Sequence, residues 1–361
     1  MDTRYPFPPL APESGTEDTR PILLVPYMWI GDFVRCHTVV QLLKARWPER
    51  PIDVLTPPLN APLLDYMPGV RQGIVADLRH NRLDLFRHPQ LASRLRREAY
   101  GTALVMSRKW KAAWAPFLAG IPERIGFIGE ARYVLLNDKR WGEHKLPRQI
   151  DQCAVLALPP GATLPGAWPE PRLRVPLADT TAWKVRRGLA GGVRSIALAP
   201  GAVGPSKRWP AAYYAEVAQA LIAQGWLVWV VGGPNETPIA REIVAAAGAQ
   251  AHDVTGHDLR EGILALAAAD FVLSNDSGLL HVAAAIGTPT AGIFGPTSPQ
   301  LWAPLNPLAA TIETRTEVPC RPCHEPTCRF GHHRCMRDIS AAQVLDTIAR
   351  VAVRHQHAAT P

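Results

Sequence analysis

No stretch of this sequence reaches the roughly 18 to 20 consecutive apolar residues that a membrane-crossing helix needs. The N-terminus, MDTRYPFPPLAPESGTEDTR, also lacks the basic-then-apolar order of a secretory signal. Residues 1–19 accordingly read as a disordered tail on a cytoplasmic protein. Cysteine is scarce, with six in 361 residues, and four of the six fall within CRPCHEPTCRFGHHRC. The other two, Cys36 and Cys153, read as ordinary buried cysteines. Acid is outnumbered, with 31 Asp and Glu against 39 Lys and Arg. The net charge of +8 suggests an anionic partner without saying whether that is nucleic acid, a membrane surface or a small phosphorylated ligand.

The basic excess is concentrated. Between Arg71 and Lys111, ten Lys and Arg stand against three acids, which leaves two readings open: a solvated Arg-rich helix face or an anion-docking face. The chain is longer than one core usually serves, so two domains are expected. Short apolar runs alternate with helix-length amphipathic segments: PILLVPY, DFVRCHTVVQLLKARW, IDVLT and, after a basic helical stretch, TALVM. This is the βαβ rhythm of a parallel sheet. The Pro- and Gly-rich passage LPPGATLPGAWPEPRLRVP (158–176) interrupts it. The rhythm then restarts with SIALAP, a helix from Pro210 to about Gln224, WLVWVV, a helix near 236–247, FVLSN, an Ala-rich helix and TPTAGIF. SAAQVLDTIARVAV closes the chain as a terminal helix with Ser340 at its N-cap. The expected architecture is α/β, with one domain over 20–175 and a second over 176–361. Ligands bind such folds beyond the carboxyl ends of the strands.

Three turns of the second domain sit there. In SNDSGLLHVAAAIGTPTAGIFGPTSP (274–299), a strand ends, Asp276, Ser277 and Gly278 form the turn, and a helix opens with N–H groups and a dipole suited to an anion. Ser277 offers a hydroxyl, and His281, one turn in, reaches a phosphate or holds the loop. The competing reading makes Asp276 or Ser277 a helix cap and His281 a core histidine. In LAPGAVGPSKRWP (198–210), a Gly-containing turn brings Lys207, a mobile point charge suited to a pyrophosphate, ahead of a helix opened by Pro210. In VVGGPNE (230–236), paired glycines allow close ligand approach, and Glu236 offers a carboxylate for ribose hydroxyls. In the first domain, YMWIGDFVRC puts Gly31 and Asp32 where a strand turns into a helix, leaving Asp32 to cap, to bind or to do chemistry.

WIGD after a strand, PGA…KRWP and NDSGLLHVAAA, in that order, resemble glycosyltransferase family 9, the bacterial ADP-heptose:lipopolysaccharide heptosyltransferases. FLAGIPERIGFIGEARYVLLND (117–138) is further similar to the heptosyltransferase II branch. The resemblance runs from about residue 21 to 350. It implies a GT-B fold of two facing Rossmann-like domains, acceptor on the N-terminal one and donor nucleotide on the C-terminal one. It also implies an inverting, metal-independent transfer from ADP-heptose to the lipopolysaccharide core, by a monomer peripheral to the inner membrane and without a nucleic-acid partner. Matched position by position, Asp32 is the base and Lys207 faces the donor phosphates. Gly31, Gly201, Ser206, Glu236, Asp276, Ser277, Gly278 and His281 bind the donor. AVGPS between Gly201 and Lys207 departs from the hydroxyl-rich turn of some members. Lys111, Arg124 and Arg132, with the Arg-rich stretch 79–97, are the residues expected to hold an anionic acceptor at the membrane.

The spacing of Cys320, Cys323, Cys328 and Cys335, C-x2-C-x4-C-x6-C, suggests a structural zinc, with free thiols, an iron–sulfur cluster or a redox disulfide as alternatives. Two other functions compete with heptosyl transfer. A nucleotide-sugar 2-epimerase has the same two-domain architecture, and a zinc-containing nucleic-acid-binding protein accounts for the charge and the cysteines but leaves Asp32 and the donor turns unexplained.

Overall fold

A computed structural model of the chain describes residues 18–77 and 87–359, so most of the expected disordered tail, with Arg79 and Arg82 of the basic stretch, lies outside the described residues. The chain divides into two compact units after Pro171, a few residues before the boundary expected at 175.

The first unit is built on a six-stranded parallel sheet: β1 (Ile22–Val25), β2 (Ile52–Thr56), β3 (Gln72–Val75), β4 (Thr102–Val105), β5 (Glu123–Phe127) and β6 (Asp138–Arg140), in the order β3-β2-β1-β4-β5-β6. The second repeats the plan with β7 (Ser195–Ala199), β8 (Leu227–Val230), β9 (Ala251–Asp253), β10 (Phe271–Asn275), β11 (Thr290–Ile293) and β12 (Ala309–Ile312), in the order β12-β11-β10-β7-β8-β9. Both have the doubly wound order in which the chain reverses direction across the sheet between its first and fourth strands. The central strands are buried throughout, as apolar runs covered on both faces must be. The edge strands β3 and β6 are largely open.

Register decides what meets at the switch points. Leu24 pairs with Leu104 in the first sheet, and Ala199 pairs with Ser274 in the second. In the second unit, therefore, the turn after β7 and the turn after β10 leave the sheet side by side. Helices cover the sheet there, among them Ala211–Ala223 and the terminal helix Ala341–Ala359. Trp209, Tyr214, Phe271 and Ile339 fill the space between. Ser340 caps the terminal helix as expected, its hydroxyl accepting from the Gln343 N–H at 3.2 Å.

One expected element is broken in two. DFVRCHTVVQLLKARW reads as one helix, but the chain forms Ile30–Arg35 and then His37–Arg46. At the joint, Cys36 turns its thiol to the Asp32 carbonyl at 3.2 Å.

The first sheet is fastened at its opposite end by Asp53, fully buried at the start of β2. Its carboxylate accepts from Arg71 Nε at 2.8 Å, Tyr100 Oη at 2.6 Å and Gln72 Nε2 at 3.0 Å. Asp53→Ala leaves the buried Tyr100 hydroxyl without this acceptor and Arg71 without its inner partner. It is expected to cost about 3 kcal/mol of stability, read from urea unfolding of the two proteins. A loss under about 1 kcal/mol, the size of one ordinary hydrogen bond, would show that the network contributes little.

Candidate active site

The turns flanking β7 and β10 form one connected constellation. Asn275, the last residue of β10, is fully buried. Its Nδ2 donates to the Pro200 carbonyl at 2.7 Å, and its Oδ1 accepts from Tyr214 Oη at 3.1 Å and from the Trp209 N–H at 3.2 Å. The following residue, Asp276, then meets Lys207. Lys207 Nζ donates to Asp276 Oδ2 at 2.7 Å, and Thr297 Oγ1 donates to the same oxygen at 2.7 Å. Asp276 is buried while the Lys207 side chain keeps a third of its surface exposed. The ammonium thus stands at the mouth of the site with its counter-charge behind it. Asp276 is spent on this pair rather than on capping a helix.

Ser277 stands at the N-cap of the helix Gly278–Ile286 in extended conformation, and its side chain caps no backbone N–H. Its hydroxyl lies 3.1 Å from that of Ser274. Gly278 opens the helix, and His281 is buried in its first turn. This helix N-terminus, in the turn next to Lys207, favours an anion through its first N–H groups.

Glu236 lies in a cradle of glycines. Its Oε2 accepts from the Gly233 N–H at 3.0 Å. A β-carbon on Gly201 would come within 2.7 Å of Glu236 Cγ, and one on Gly232 within 2.6 Å of Glu236 Cβ. Gly201 and Gly232 therefore make room for Glu236, a packing role that the sequence reading did not include.

Ser206 is turned away from the mouth of the site. It is buried, its hydroxyl donates to the Glu325 carbonyl at 2.5 Å and its N–H to the Pro326 carbonyl at 3.1 Å. Its hydroxyl is committed to the cysteine-rich segment, which differs from the expected donor contact. That segment departs from expectation as well. Cys320, Cys323, Cys328 and Cys335 line one cavity with His332 and His333, and all four are free thiols. Yet no group of three His, Cys, Asp or Glu side chains among the described residues is placed to hold a metal ion. Cys320 Sγ lies 3.9 Å from His332 Nε2. Burial pushes the Cys335 thiol up to about 11. The expected four-thiolate zinc site is not assembled.

In the first unit, Asp32 lies in the first turn of Ile30–Arg35, whose N-cap is Trp29, so it is no N-cap. Gly31 beside it is buried. The carboxylate pairs with Arg35, Nη1 to Oδ1 at 2.7 Å, and the two side chains keep only 15% and 9% of their surface exposed. The strand exit before it is held by Asn60, whose Nδ2 donates to the Met28 carbonyl at 2.8 Å.

Of the three residues expected to hold the acceptor, two are backbone clamps. Arg132 is fully buried and donates to the carbonyls of Ser107 and Phe127, tying the loop after β4 to the end of β5. Burial pushes its guanidinium down to about 10. Arg124 donates to the Leu135 and Ile121 carbonyls and lies over the Phe117 ring, 5.5 Å from its centroid. Both guanidinium groups thus supply donors that backbone carbonyls need. Lys111, half-buried in the first turn of the helix Trp110–Leu118, is of a different kind. Sequence reasoning missed Arg35, Asn275 and Thr297. Thr297 had a weak signal, a hydroxyl in the Gly-Pro turn after β11.

The family described as glycosyltransferase family 9 (heptosyltransferase) matches this chain over residues 89–334. Lipopolysaccharide heptosyltransferase 2 of Escherichia coli (strain K12) is 32% identical over 347 residues, 93% of this chain and 99% of that protein. Lipooligosaccharide heptosyltransferase 2 of Haemophilus influenzae is 33% identical over 340 residues, 91% of this chain and 98% of its own length. The solved structure of E. coli ADP-heptose lipopolysaccharide heptosyltransferase II superposes with a TM-score of 0.83 at 31% identity, covering 93% of this chain and 99% of that one. With the doubly wound units and the Lys207–Asp276 turn pair in the same chain, this similarity over nearly the whole length means that the protein belongs to glycosyltransferase family 9, the heptosyltransferases.

Proposed function

We propose that this enzyme is an inverting heptosyltransferase that moves a heptose from ADP-L-glycero-β-D-manno-heptose to the inner core of lipopolysaccharide, on an acceptor of the heptosyl-Kdo2-lipid A type. The observation that carries this reading is the Lys207–Asp276–Thr297 set beside a helix N-terminus, in a chain whose full-length relatives are heptosyltransferases 2. The acceptor hydroxyl oxygen attacks the anomeric carbon, the bond from that carbon to the phosphate oxygen breaks, and ADP leaves with the electron pair. The hydroxyl proton passes to Asp32, whose carboxylate is anionic at neutral pH. Lys207 offsets the charge that grows on the departing diphosphate. Gly278 and Ser277 offer N–H and hydroxyl donors to the same phosphates, His281 holds the turn from within, and Glu236 accepts from the ribose hydroxyls. No catalytic cofactor is needed for these steps.

The acceptor is a lipid-anchored anion, and the reading therefore puts the enzyme on the cytoplasmic surface of the inner membrane. Arg94, Arg96 and Arg97 are exposed on the helix Arg87–Arg97 and supply positive charge toward phosphates and carboxylate sugars, with Lys111. No helix among the described residues is long and apolar enough to cross a membrane.

Incubation with ADP-heptose and lipid whose core stops before the second heptose should add one heptose mass to the lipid and release one ADP per transfer; unchanged lipid would overturn the reading. Asp32→Asn is expected to lower kcat by about 100- to 10,000-fold, the usual contribution of a general base, while calorimetry finds ADP binding unchanged. Turnover near that of the parent would remove Asp32 from the role of base. Lys207→Ala is expected to lower kcat by about 100-fold or more, as loss of one charge-stabilising group does, and to weaken ADP binding, because Asp276 then faces the phosphates uncompensated. Thermal stability should fall as well, because the buried Asp276 carboxylate loses its counter-charge. Unaltered rate and affinity together would return Lys207 to the status of a surface charge.

A further inference from the structure

The helix Ile30–Arg35 is only six residues long, and its last residue is a buried arginine. Placing a guanidinium in that position is costly unless it meets a charge of opposite sign. It meets Asp32, one turn earlier, at 2.7 Å. The pair is largely removed from water, so its mutual attraction is screened far less than that of a surface pair.

Among the described residues, titratable groups near it come from several places. Tyr27 comes from the strand exit, and burial, with Cys153 and Cys36 nearby, pushes its phenol well above the ordinary range. Arg108, from the loop after β4, acts on Tyr27 as a further positive charge. Cys36 opens the next helix and donates its thiol to the Asp32 carbonyl. Cys153, from the helix Gln149–Ala154, is held well above the usual thiol range by its hydrogen bond with Cys36 and by burial. Tyr27 and Cys153 thus keep their protons through neutral pH. A carboxylate in such surroundings would be driven toward its neutral form by desolvation alone.

We propose that Arg35 is the positioning residue of the transfer: its guanidinium keeps the Asp32 carboxylate anionic and fixed in the orientation that receives the acceptor proton. This rests on the reading of Asp32 as the base. Arg35 itself touches no reacting atom. Its effect on pH dependence has a definite sign. A base held anionic by a neighbouring cation remains competent to lower pH, so loss of the cation moves the acid limb of the rate profile upward.

The test uses the full chain and measures ADP release with ADP-heptose and the core acceptor across pH. In Arg35→Gln the acid limb of kcat/KM should move up by about 1–3 units, the usual effect of an adjacent guanidinium on a carboxylate. At neutral pH kcat should fall by roughly 100-fold, as for a misplaced reacting group, with KM for ADP-heptose unchanged. Arg35→Lys retains the charge but lacks the planar fork, and should keep the acid limb near that of the parent while kcat stays lowered. In an Asp32→Asn background, Arg35→Gln should change the residual rate far less than in the parent. An inactive Asp32→Asn together with an Arg35→Gln enzyme of unmoved acid limb and full kcat would overturn this inference and leave the base intact; an active Asp32→Asn would overturn the base itself. Should Arg35→Gln fail to fold, Arg35→Lys decides, and a full kcat in that variant overturns the inference.

Discussion

The carboxamide of Asn275 joins the two strand ends on which the Lys207–Asp276 constellation depends. Parallel strands leave a sheet with unpaired backbone groups at their carboxyl ends, and these need partners wherever water is excluded. Asn275 supplies one to Pro200 after β7 and accepts from Trp209 and Tyr214, which open the helix behind it. With those bonds made, the two turns are fixed against each other. Lys207 and Asp276, 69 residues apart in sequence, then come within 2.7 Å. An apolar residue at 275 would suit the strand equally well, but it would leave the turns unconnected.

The same economy of space governs the neighbouring turns. Glu236 reaches its place only because Gly201 and Gly232 carry no side chain. Ser206 anchors the turn before Lys207 to the backbone of Glu325 and Pro326. Arg321 of the same segment bonds the Phe294 carbonyl and the Glu313 carboxylate. The cysteine-rich segment is thereby a brace behind the lysine turn, whatever chemistry its thiols undergo.

Much of the basic charge in the first unit serves the backbone. Arg132 and Arg124 each donate to two main-chain carbonyls. Arginine suits this because its planar group carries five donors that can satisfy several carbonyls at once. A count of charges therefore overstates what an anionic acceptor finds. The cations left to face solvent are those at helix surfaces, such as Arg94, Arg96 and Arg97.

The alternation of apolar runs with amphipathic segments was enough to give two parallel-sheet units and the turns after β1, β7, β8 and β10, because a buried strand must be apolar throughout and a turn at its end must contain glycine or a polar residue. The motif order was enough for the family. Sequence could not tell Arg132, which is buried, from Lys111, which is not, since both read as positive charges. Nor could it show that Ser206 faces Glu325, that four closely spaced cysteines share a cavity without forming a ligand set, or that Thr297 joins Asp276. Each of these is a contact between distant segments. Local composition limits which groups can pair, but strand register and the packing between helices decide which of them come within hydrogen-bonding reach.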